Sequence, residues 1–226
     1  MIDILLILVF GGVTYCVAGE GAWGAAVTCI STILSGLLAM NFFEPICNSL
    51  MSSQSGWQAR LDVIVLVGLF AGGVSLMRFG VDYLSPTYIA VHRMVFEGAR
   101  WGCAALTGYV TMAFLLTALH TSSLPREFAG FRPERMNLFD TVAPDRQWLG
   151  FTQWVTERVC DSSPARVFDG PRVVLGEPGS QPQILPSFPI RYATRRGRGM
   201  TATASGPPPA VRQVPAQKKG APSQGF

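Results

Sequence analysis

The first 120 residues contain no lysine, and only four arginines against six acidic residues. The whole 226-residue chain has two histidines, and none of its five cysteines forms a C-x-x-C pair. An ordinary soluble domain carries about a quarter charged residues; here the figure is 14%. Cys16, Cys29, Cys47, Cys103 and Cys160 lack the spacing of a zinc site or a disulfide framework. Four of them lie in or beside apolar runs, where cysteine behaves as a small apolar residue. His92 and His120 both sit at the edges of apolar runs, and no G-x-S-x-G, H-E-x-x-H or P-loop sequence occurs. No catalytic residue, metal site or cofactor is therefore expected, and the chain reads as non-enzymatic.

What is present falls into two unlike halves. Apolar residues make up 73 of the first 120 positions but 37 of the remaining 106. The first part has a net charge of −2 and the second of +6, and 14 of the 16 prolines follow residue 120. This excludes one uniform globular domain. It also excludes a wholly disordered chain, which lacks apolar content on this scale.

A helix needs about 20 mainly apolar residues to cross the hydrocarbon core of a bilayer. Four stretches approach that length, and spans are expected at about 2–18, 23–43, 58–78 and 100–119. No charge falls between Glu20 and Glu44, and the polar residues from Trp23 to Phe43 are Thr28, Ser31, Thr32, Ser35 and Asn41. Serine and threonine satisfy themselves on the helix backbone, so these make no water-facing stripe. Met1-Ile2-Asp3 lacks the basic start of a cleaved signal peptide, and the first span is kept in the mature protein. Arginines near the span ends divide four (Arg60, Arg126, Arg132, Arg135) to three (Arg78, Arg93, Arg100), so the positive-inside rule assigns no orientation.

Small residues recur inside the spans. Gly68-x-x-x-Gly72, Gly98-x-x-x-Gly102 and Gly108 have the spacing that lets membrane helices pack closely, and these five glycines are the helix-packing candidates. The carboxylates Asp3, Glu20, Glu44, Asp62, Asp82 and Glu97 lie near span ends and read as interfacial groups rather than a proton path. Between Arg78 and Arg100, Val81, Leu84, Tyr88, Ile89 and Val91 suit one face of an interfacial helix; an ordinary capping loop fits equally.

Residues 121–170 hold seven Phe and Trp. From Pro144 the sequence reads as a helix start, with Asp145 placed to cap and Trp148, Phe151, Trp154 and Val155 on one face. Trp148, Phe151 and Trp154 are therefore docking candidates, toward the bundle or the lipid headgroups. Beyond Pro178 there is no acidic residue and there are seven Lys and Arg among Pro, Gly, Ser and Ala, a composition unable to build a core. Such a run reads first as a solvated, weakly interacting tail, with anionic lipid as the partner its charge allows. Without aromatic residues interleaved beyond Tyr192, it does not suit nucleic acid.

The fold class expected is an all-α integral membrane protein. Four transmembrane helices occupy 1–120, a partly ordered aromatic-rich juxtamembrane segment 121–170, and a disordered Pro/Gly-rich basic tail 171–226.

Several segments together resemble the CvpA family, the colicin V production proteins, in its longer-tailed branch. They are the opening Met1 to Leu8, the turn Gly19-Glu20-Gly21 into Trp23-Gly24, and Met40-Asn41-Phe42-Phe43-Glu44-Pro45. In the tail they are Leu124-Pro125-Arg126-x-Phe128, Phe131-x-Pro133-Glu134, Pro144 to Phe151, Phe168-Asp169 and Tyr192-Ala193-x-Arg195-Arg196. The resemblance spans about residues 1–196. It implies a multi-pass protein of the bacterial inner membrane that supports toxin production or export, or envelope processes, and it implies no catalytic residues. The partners expected are the lipid bilayer, other membrane proteins or a second copy. A small transporter or channel subunit is the alternative reading, and an intramembrane enzyme ranks last.

Overall fold

The computed structural model describes residues 2–51, 58–84, 92–122, 131, 136–139, 141–158, 168, 173–175, 183–185, 188, 189 and 192. Five helices follow in chain order: α1 (Ile2–Gly19), α2 (Gly21–Met51), α3 (Gln58–Leu84), α4 (Arg93–Thr121) and α5 (Pro144–Arg158). Two three-residue strands, β1 (Val173–Leu175) and β2 (Gln183–Leu185), pair antiparallel with Val174 opposite Ile184. The first four helices are each long and apolar enough to cross a membrane. Helix is what such runs must form, because a helix satisfies its backbone polar groups internally where no water can.

The helices overrun the expected spans at most ends. α1, with 18 residues, is about 27 Å long and matches a hydrocarbon core, whereas α2, with 31, is about 46 Å and exceeds it. Apolar content marks only the part that can be immersed, and the helix continues past it through Glu44 and Pro45 in α2. The 78–100 segment shows the same extension from both sides. Val81 and Leu84 belong to α3, α4 starts at Arg93, and Tyr88, Ile89 and Val91 lie outside the described residues.

Successive helices run antiparallel, so the start of α1, the end of α2, the start of α3 and the end of α4 share one end of the bundle. This is the tail-side end; the other is the turn-side end. α2 and α4 pack together centrally, α3 lies chiefly on α2, and α1 chiefly on α4. α3 is an outer helix, with 11% of its span buried. The central core joins Met40, Phe43 and Cys47 of α2, Leu66 and Phe70 of α3, and Val110, Ala113, Phe114 and Ala118 of α4. Phe70 and Phe114 stack with ring centroids 4.1 Å apart.

The α1–α2 turn takes two residues. Glu20 N–H donates to Val17 O at 3.1 Å, and Gly21 has φ of +85°, a conformation that a side chain would strain. Polar groups hold this end together. Arg78 on α3 donates to Gly24 O at 2.8 Å and to Thr28 Oγ1 at 2.9 Å, and pairs with Glu20 at 3.0 Å and Asp82 at 3.1 Å. Arg100 Nε donates to Ala18 O at 2.6 Å and its guanidinium lies 3.6 Å from Glu97. Glu20, Asp82 and Glu97 thus sit at a helix end, each against an arginine. Asp62, by contrast, is buried.

The packing glycines are mostly not the ones their spacing singles out. At Gly68, Gly72, Gly98 and Gly102 an added Cβ meets nothing within 4 Å, so these four expectations are corrected. Their pairs lie on the outward faces of α3 and α4, since four-residue spacing fixes a face but not which neighbour covers it. Gly108 faces α1, where a Cβ would come within 2.8 Å of Phe10 O and against Thr14. Three further close contacts fall at Gly24, where a Cβ would lie 2.7 Å from Glu20 Cβ, at Gly73, where it would lie 2.9 Å from Ser35 Oγ, and at Gly36 beneath Trp148.

Substitution separates the two kinds of glycine. Gly108→Leu should force α1 away from α4 and cost about 1–3 kcal/mol, lowering the thermal unfolding midpoint in detergent. Gly102→Leu should leave that midpoint within the scatter of the wild type. Equal midpoints for the two variants would contradict the α1–α4 contact described here.

Candidate functional site

After α4 the chain turns back onto the bundle. Phe131 is buried with Ile2, Leu6, Met112 and Leu116. Leu138 and Val142 form a small bridged turn in which Phe139 has φ of +52° and donates its N–H to Asp3 Oδ1 at 2.8 Å. Pro144 opens α5, a first-turn position where its missing N–H costs nothing. α5 then lies against α4, and its Trp148 enters the central core.

The seat for Trp148 is built by Gly36. A Cβ on Gly36 would stand 2.6 Å from Trp148 Cζ2 and 2.9 Å from Cη2, so only glycine lets the indole approach α2. The Trp148 ring meets Phe114 edge-on at 6.2 Å and lies 5.7 Å from Phe151. Tyr109 O–H donates to Gln147 Oε1 one residue earlier.

At the tail-side end of α4, His120 Nε2 lies 2.8 Å from Asp145 Oδ2, and both side chains are 0% exposed. The imidazole also meets the Phe131 ring edge-on at 5.1 Å. His120 Nδ1, Asp145 Oδ1 and Trp148 Nε1 have no hydrogen-bond partner among the described residues. The Nε2···Oδ2 bond is therefore what offsets the burial of both groups. It is also a fully buried polar tie between α4 and the tail.

The docked face of α5 is not the aromatic one. Asp145, Trp148, Leu149, Thr152, Gln153 and Thr156 are buried, whereas Phe151 is 39% and Trp154 56% exposed. A three-residue step falls about 60° short of a full turn, so Trp154 lies about 120° around the helix from Trp148. The expected stripe therefore splits: Trp148 docks, Phe151 sits at the margin and Trp154 points outward. Asp145 is corrected too, since its carboxylate pairs with His120 across 25 residues of sequence. His120, at the edge of an apolar run, is buried.

Beyond α5, Gln153 Oε1 accepts the Phe168 N–H at 2.6 Å, and Phe168 O accepts the Phe188 N–H at 2.9 Å. Phe188 and Tyr192 then pack on Phe43 of α2 at 6.1 and 6.3 Å, and the Tyr192 hydroxyl donates to Glu44 at 3.4 Å. Phe188 and Tyr192, which lie beyond residue 171, belong to the central core. The basic residues after Tyr192 lie outside the described residues, as does Cys160; Cys16, Cys29 and Cys103 are free thiols, and Cys47 is buried in the central core. Among the described residues no group of three or more His, Cys, Asp or Glu is placed to hold a metal ion.

Ser35-Gly36 is a pair of small residues inside a span, but no local signal in the sequence finds Trp148 as the partner of Gly36 or Asp145 as that of His120, because each pair joins residues far apart in the chain. The nearest signal is that one of only two histidines closes a span and an acid opens the next helix. Comparison with known protein families, curated proteins and solved structures yields no match to this chain.

The pair can be dissected by a mutant cycle. His120→Ala or Asp145→Ala alone should cost about 3–5 kcal/mol by leaving the buried partner unpaired. His120→Leu combined with Asp145→Leu should cost clearly less than either single change. Unfolding in detergent, followed by Trp148 emission, measures all three. Additive losses would show that the two side chains act independently.

Proposed function

We propose that the protein is a non-enzymatic, multi-pass component of the bacterial inner membrane, of the colicin V production type. It would act by holding protein partners, and so support toxin production or export, or other envelope processes. The observation that carries the membrane part is the outer surface. Ile4, Leu5 and Leu8 of α1, Ile30, Leu34 and Leu38 of α2, and Ile64 and Leu76 of α3 are all exposed. Continuous apolar surface on this scale marks a contact with lipid or protein.

The partner part is supported by how the tail folds. α5 and the segment from Leu138 to Val142 make a built surface at one end of the bundle, and Met136, Phe139 and Trp154 stand exposed on it. The family type rests on the tail residues quoted above, from Leu124 to Arg196. The basic run beyond Pro178 has a composition that suits anionic headgroups. The Arg78 cluster and the His120–Asp145 pair lie at opposite ends of the bundle rather than along a path through it, which favours a partner-holding role over a channel.

A photo-reactive residue in place of the exposed Met136, introduced in living bacteria, tests the reading. A discrete adduct with a second membrane protein is expected, and His120→Ala, which releases α5, should weaken it. Absence of any protein adduct would overturn the partner role. Recovery of the chain in the supernatant after a carbonate wash would overturn the membrane assignment.

A further inference from the structure

Beside Trp148, between α2, α4 and α5, lies a half-open cavity of about 300 Å³. Ile33 of α2, Leu106, Val110 and Ala113 of α4, and Trp148 and Phe151 of α5 form its walls. Tyr109 and Gln147 also line it, but their polar atoms are turned to each other in a hydrogen bond. The walls therefore offer water almost nothing to bond. An apolar space of this kind stays dry and takes an apolar occupant. Its volume falls at the lower end of known ligand sites.

The volume narrows the choice. One turn of helix with its side chains, about 10–12 Å across and 5.4 Å long, exceeds it. A slender, flexible hydrocarbon chain does not. The slot is also continuous with the outer apolar surface of the bundle, since Leu106 is both a wall and 47% exposed. Ile30 and Leu34 flank Ile33 on the exposed side of α2. Phe151, half in the slot and half outside, joins the two surfaces.

We propose that this slot is an acyl-chain site, in which one tail of a bilayer phospholipid lies against the Trp148 indole. α5 is then one wall of a lipid site as well as a cap on the bundle, and lipid helps to hold it down. The proposal rests on the membrane reading above.

The test uses the full chain with four of its five tryptophans changed to phenylalanine. One protein keeps Trp148, which is 4% exposed; the other keeps Trp101, which is 49% exposed on the outer face of α4. Both are reconstituted in vesicles of phosphatidylcholine brominated on the acyl chain, because bromine quenches an indole it touches. Trp148 should lose most of its emission despite its burial, and aqueous iodide should leave it unchanged. Ala113→Leu, which fills the slot, should restore Trp148 emission in brominated vesicles. Because Ala113 is buried, Leu106→Phe at the exposed mouth is a second plug that spares the α2–α4 contact.

A Trp148 that stays bright in brominated lipid while Trp101 is quenched would overturn the acyl-chain site and leave the membrane reading standing. Iodide quenching of Trp148 would make the slot aqueous and overturn it as well. So would quenching that persists unchanged in both plugged variants. If Trp101 itself escapes the bromines, the membrane reading fails and the proposal falls with it.

Discussion

Hydrocarbon supplies no hydrogen bonds, and a bundle of long apolar helices is built around that constraint. Thr32, Thr107 and Thr117 each donate to the carbonyl four residues back, and Asn41 does the same with its amide. None of these polar side chains needs a partner outside its own helix. The groups that cannot be satisfied locally are collected elsewhere. Arg78 gathers Glu20, Asp82, Thr28 and the Gly24 carbonyl at one end, and His120 with Asp145 closes the other. Between the two clusters the structure relies chiefly on shape: aromatic rings of Phe70, Phe114 and Trp148 are stacked and crossed, with Gly36, Gly73 and Gly108 at close approaches.

This division gives the two ends different characters. The turn-side cluster is partly open to solvent, with Arg78 26% exposed, so screening makes each of its ion pairs weak. Its carbonyl and hydroxyl contacts still fix α3 against the start of α2. The tail-side pair is dry, and its single bond carries more because the alternative is an unpaired group in a buried site. α5 is tied at Asp145, wedged at Trp148 and linked through Gln153, Phe168 and Phe188 to Phe43. A fifth helix with a largely polar buried face is thereby held on an apolar bundle.

The four long helices are legible in the sequence because one quantity, uninterrupted apolar length, decides them. The existence of α5 is legible as well, since Pro144 and the spacing after it mark a helix start. Its orientation is not. Aromatic content points to Trp148, Phe151 and Trp154 together, but the helix turns Trp154 away and buries Asp145, Thr152 and Gln153 instead. What decides the matter is a partner 25 residues upstream, His120, and a glycine on another helix, Gly36. The glycine spacings fail for the same reason. Gly68, Gly72, Gly98 and Gly102 share faces as their intervals require, yet only the three-dimensional order of the helices determines that those faces look outward. Phe188 and Tyr192 sit in a stretch whose composition is too poor in apolar residues to form a core, and they are buried because they borrow one that the spans have already made.

The bond from Phe139 to Asp3 joins positions 136 residues apart and ties the first helix to the tail. During synthesis this imposes an order on assembly. At about 5–20 residues per second, α1 emerges roughly 7–27 s before the segment that completes its contacts. Its main neighbour, α4, also follows both intervening helices. Over that interval α1 has almost none of its final partners, and it must persist on the strength of its own length and apolarity. That is a reason for the first helix to be the most uniformly apolar of the four, with Asp3, held at its very start, as its lone charge.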